Sequence, residues 1–81
     1  MYTRINFCVN RLRYDVCMKE LKRKNGTLST IQPENSDEEK FVEVEAYFNN
    51  LEEANSFIYS CYFNYGLYFY LKTMAFTSNV F

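Results

Sequence analysis

Histidine, the commonest general base and the commonest metal ligand, is missing from these 81 residues, so acid–base chemistry would fall to carboxylates and thiols. Cys8, Cys17 and Cys61 are odd in number and widely spaced, without a CxxC or the paired spacing of a zinc site. An arginine or lysine beside Cys8 or Cys17 would activate a thiol, but three small buried hydrophobes in a reducing compartment is the plainer reading. Glu43 and Glu45 alternate on one strand face about 7 Å apart, which superficially suggests a carboxylate pair, but a solvated strand face explains them better. With Gly26 and Gly66 the only glycines, no glycine-rich phosphate loop is available. No catalytic, cofactor or metal-ligating set emerges, and a non-enzymatic protein is expected.

Charge placement says more than the net charge of -1. Residues 1–24 carry Arg4, Arg11, Arg13, Lys19, Lys22, Arg23 and Lys24 against Asp15 and Glu20, a local charge of +5. Residues 25–53 carry Glu34, Asp37, Glu38, Glu39, Glu43, Glu45, Glu52 and Glu53 against Lys40, a local charge of -7. Two outcomes stand open. The blocks form opposed patches that steer association, or strand pairing brings them together and they cancel. As a patch, the eight acids would suit a basic partner such as a nucleic-acid-binding protein, presenting carboxylates where phosphates would lie.

From Ala54 onward Lys72 is the only charge, and aromatic residues crowd the chain. Aromatics make up 20% of the sequence, and each buries on the order of 150–250 Å² when covered, more than a core this small can hold. Part of the set is therefore expected at an interface, with Tyr59, Tyr62, Phe63, Tyr65, Tyr68 and Tyr70 as candidates for self-association or partner contact. The stretch Ala54 to Leu71 is uncharged, near the lower length limit of a spanning helix, but its Asn, Ser, Gly and Tyr residues argue against lipid. Met1 to Arg13 alternates and places Arg4 where a signal peptide needs an apolar run. A cytoplasmic protein without a membrane span is expected.

The elements that must position these groups follow from periodicity. Tyr2 to Val9 alternates as a strand, with Ile5, Phe7 and Val9 inward. Residues 12–24 read two ways. The pairs Asp15/Lys19 and Glu20/Lys24 favour a helix, whereas Asn25-Gly26 is a strong hairpin signal with Thr27 to Gln32 as return strand, and this tips the reading to a hairpin. Pro33 to Lys40 is a polar loop. Phe41 to Phe48 is the clearest strand, with Val42, Val44, Ala46 and Phe48 on one face. Asn50 caps a helix whose first turn holds Glu52 and Glu53, the latter placed to reach back to the cap. Leu51, Ala54, Ile58, Cys61 and Tyr65 form its apolar stripe, and Gly66 ends or kinks it. Residues 67–76 alternate like a strand but also continue the helical stretch.

One domain over residues 1–81 is expected, of α+β class: a small antiparallel sheet of three or four strands packed against one main helix at about residues 50 to 65. Over residues 12–60, three strands and then a helix, with NNLEEANSF after the last strand, resemble in topology the small DNA-reading domains that bind arm sites in tyrosine integrases. The basic strand and Gly-Lys turn of that family are absent. In size and character the chain is also similar to the short inhibitors that phages carry against host defence, anti-CRISPR proteins among them. The expected function is a protein-binding module that covers a partner's surface, with homo-oligomer formation and without strong nucleic-acid binding; the alternative is nucleic-acid binding through the basic N-terminal segment.

Overall fold

A computed structural model describes residues 2–33 and 40–77. Its elements run β1 (Tyr2–Asn10), α1 (Tyr14–Arg23), β2 (Thr27–Pro33), β3 (Phe41–Phe48), α2 (Leu51–Tyr65) and β4 (Phe69–Thr77), with single 3-10 turns at Arg11–Arg13 and Gly66–Tyr68. The four strands form one antiparallel sheet in the order β2-β3-β1-β4. This is the α+β architecture expected, with a second helix added. The element and strand order is that of the ferredoxin-like split β-α-β plait, an arrangement that hosts many unrelated functions and so assigns none.

Period-two alternation builds the core. On β1 and β3, Ile5 faces Ala46, Phe7 faces Val44 and Val9 faces Val42, all on the side the helices cover. β4 adds Leu71 opposite Phe7 and Phe69 opposite Val9. α2 lays Ala54, Phe57, Ile58, Cys61 and Tyr65 onto this face, and α1 adds Cys17 and Leu21. Phe57 sits at the centre, its ring centroid 5.4 Å from those of Phe7 and Phe48 and 6.1 Å from that of Phe69.

Both ends of α2 are set by local chemistry. The Asn50 side chain accepts the Glu53 N–H at 2.8 Å, satisfying one of the helix's orphan donors. The Glu53 carboxylate accepts from the Asn25 side-chain amide at 2.9 Å instead of turning back to the cap, so it ties the start of α2 to the end of α1. Gly66 ends the helix at φ 54°, a backbone region costly for a side-chain-bearing residue. The uncharged stretch from Ala54 is thereby divided between α2, a turn and β4. Among the described residues no helix is long and apolar enough to cross a membrane.

The hairpin expected over residues 12–24 is corrected to a helix. Asn25 lies in the left-handed region at φ 66°. Asn25 N–H donates to the Lys22 carbonyl at 3.0 Å and Gly26 N–H to the Leu21 carbonyl at 2.8 Å, the paired bonds of a Schellman helix end. The Asn-Gly pair therefore stops α1, and Thr27–Pro33 finds its partner in β3. The segment after Gly66 is a strand, with a register step between Asn6 and Phe7 that makes Lys72 the extra residue of a bulge.

Candidate functional site

The outward side of α2 carries the largest exposed apolar groups. Tyr59 and Phe63 lie one helical turn apart and Leu67 follows four residues later in the turn after the helix. They are 72%, 89% and 95% exposed respectively. The Arg13 guanidinium lies 4.8 Å from the Tyr68 ring centroid, a cation–π contact that holds the entry to α1 against the exit from α2. Leu12, at 79% exposure, precedes Arg13 as Leu67 precedes Tyr68. The two 3-10 turns joined by this contact thus each expose a leucine. Monomers seldom leave such groups in water unless a partner covers them.

The other aromatic candidates are sorted by the fold. The Tyr62 ring stands edge-on to Phe69 at 5.1 Å, and its hydroxyl accepts the Leu71 N–H at 2.9 Å. That bond occupies a donor on the outer edge of β4, where unsatisfied groups would template another strand. Tyr68 is half-exposed beneath Arg13. Tyr70 lies on the sheet's open face, its ring 5.7 Å from that of Phe41. Tyr65 belongs to the core. Burial there, with the Cys17, Cys61 and Glu20 side chains adding negative potential, pushes its hydroxyl up to about 12. Because the folded state keeps this proton past the ordinary tyrosine value of 10.0, the associated stability is present at neutral pH and drains as pH rises through about 12. Chemical denaturation across that range should show the natural chain losing more stability than Tyr65→Phe; parallel losses would remove Tyr65 as the cause.

The acidic candidates do not converge. Glu43 and Glu45 line a pocket of about 120 Å³ on the open face together with Asn6 and Thr30. Glu43 pairs with the Lys72 ammonium at 3.2 Å, and Glu45 accepts from the Tyr47 hydroxyl at 3.2 Å. Glu52 and Glu53 stand on the opposite layer, in the first turn of α2. Glu34, Asp37, Glu38 and Glu39 lie outside the described residues. Among the described residues, no group of three or more metal-binding side chains comes together.

The thiols are also divided. Cys8 points to the open face yet has no exposure. It pairs with Glu43 on one side and Tyr70 on the other, and the Phe41–Tyr70 and Glu43–Lys72 contacts both cross over β1 there. Cys17 and Cys61 meet under the helices, Sγ to Sγ at 4.0 Å. Beside them the Glu20 carboxylate accepts from the Ser60 hydroxyl at 2.7 Å and from Nε and Nη2 of Arg23. The Arg23 bonds, with a smaller contribution from Ser60, hold the Glu20 carboxyl below the usual carboxylate range.

Sequence reasoning missed Leu12, Val16 and Leu67 as surface residues. The signal was there in α1: Val16 falls off the stripe Cys17, Met18 and Leu21, and it stands out only once the segment is read as a helix. No protein-family model and no curated protein matches the chain, so a functional reading rests on this geometry.

Proposed function

We propose that the chain is a non-enzymatic protein-binding module, an inhibitor-like protein of the cytoplasm that acts by covering a functional surface of its partner. The observation that carries this reading is the stripe Tyr59, Phe63 and Leu67, with Phe63 and Leu67 almost wholly in water. Aromatic anchors of this kind dominate protein–protein contacts. Among the described residues the thiols are buried, and Glu20, Glu43, Glu45 and Glu53 each hold a neighbouring side chain, which supports a binding role over a catalytic one. Glu43 and Glu45 near the middle of the open sheet face also repel phosphates, which disfavours that face as a nucleic-acid platform.

In the isolated protein the same stripe is expected to drive self-association, a symmetric dimer being the commonest way to bury such a patch. Sedimentation over a concentration series should show a dimer for the natural chain and a folded monomer for Phe63→Glu, because an unpaired carboxylate in an apolar contact is costly. The same substitution should abolish capture of the partner from the native host. A natural chain that is monomeric at every concentration and retains its partner after Phe63→Glu would defeat the proposal. Submicromolar nucleic-acid binding with a steep salt slope would replace it with the basic-segment reading.

A further inference from the structure

We propose that Cys17 and Cys61 form an oxidisable dithiol pair that clasps α1 to α2. Each side chain is the only sulfur on its helix to be fully buried, and the two sulfurs are in van der Waals and S–H···S contact at 4.0 Å. Neither lies at the surface stripe, so the pair is independent of the proposed binding role. The contact sits where the two helices are already joined by the Glu20–Ser60 bond. A disulfide needs sulfurs about 2.05 Å apart, so the pair closes by rotation of the two side chains with a small approach of the helices.

The oxidant is a small soluble disulfide of the glutathione class. One thiol gives up its proton and its sulfur attacks the oxidant's S–S bond, forming a mixed disulfide and releasing one thiolate. The second thiol, on losing its proton, displaces the remaining half. Two S–H bonds and the oxidant's S–S bond break and one new S–S bond forms, and the oxidant takes two electrons and the two protons to become two thiols. The hydrogen bond with Cys17 and burial hold the Cys61 thiol well above the ordinary cysteine range, which leaves little thiolate to attack and makes oxidation slow. Cys8 cannot join, because it points to the other face of the sheet. The crosslink would bridge residues 44 apart in sequence, restricting the unfolded chain and raising the melting temperature.

The test is to incubate the folded protein with excess oxidised glutathione, quench with iodoacetamide under denaturing conditions, and measure intact mass and linked peptides. The expected product is a monomer lacking two hydrogens, alkylated once at Cys8, with the peptides of Cys17 and Cys61 joined. It melts at a higher temperature, and dithiothreitol reverses the change. Cys8→Ala should still form the crosslink, whereas Cys61→Ala should not. Three alkylated cysteines after prolonged exposure of a folded protein would overturn the proposal, as would crosslinks through Cys8 or between chains only.

Discussion

Replacing Phe57 by alanine is expected to leave the chain at the edge of unfolding. Its ring has no exposure and touches Phe7, Phe48 and Phe69, so it joins α2 to three strands at once. Removing a buried phenylalanine costs about 3–5 kcal/mol, while a chain of 81 residues commands about 4–12 kcal/mol in total at the usual stability per residue. Urea unfolding followed by circular dichroism should show the transition midpoint fall to a fraction of its original value, or no folded baseline. A loss below about 1 kcal/mol would mean that the aromatic cluster is not where the domain's stability resides.

Gly26→Ala is the second large effect, and here the damage comes from adding a methyl group. A Cβ at Gly26 would overlap Leu21 Cδ1 and lie 2.8 Å from Cε1 and Cζ of the Phe48 ring. Both side chains are buried, at 2% and 1% exposure, so neither can swing away cheaply. Overpacking of this kind costs about 1–3 kcal/mol, with the loss appearing as a lower melting temperature. At Gly66 a Cβ would meet nothing within 4 Å, so the cost of Gly66→Ala would be backbone strain alone. If Gly26→Ala melts with the natural chain, the close approach of α1's end to Phe48 is not as described.

Much of the fold was legible because its signals are local. β1 and β3 show in their alternation, and α2 shows in its Asn50 cap and its Gly66 stop, each decided by residues within a few positions of one another. The error over residues 12–24 has a definite cause. Asn25 accepts a left-handed backbone in a hairpin turn and in a Schellman helix end alike, and what separates the two is whether the next strand pairs backward. Thr27–Pro33 pairs forward, with β3, a fact no local pattern contains. β4 was ambiguous because its alternation is broken at the Lys72 bulge. The site was less legible than the fold. Ten aromatics follow Ala54 in the sequence, and only tertiary packing sends Phe57, Tyr65 and Phe69 inward while leaving Tyr59 and Phe63 in water. The apolar stripe read from Leu51 passed over Phe57, whose ring proves central, because Phe57 and Ile58 stand three and four residues on from Ala54 and both fall on the inward side of α2. Burial of Cys8 on an outward strand position depends on side chains from β3 and β4 meeting above it.

The placement of β1 between β3 and β4 has a consequence for how the chain reaches this state. Of the four described strands, the first to be made is one of the two interior ones, and it has no neighbour until residues 41–48 follow and only one until residues 69–77 are made. Sheet closure is thus deferred to the last strand, with the longest loop to close. Such non-local pairing is slow compared with helix formation, so α1 and α2 would form early and wait on a half-built sheet whose β1 edge and the Ile5, Phe7 and Val9 face are open to aggregation. A nascent chain stalled before Phe69 is therefore the most vulnerable form of this protein, and a holdase that binds extended apolar strands would act on it there.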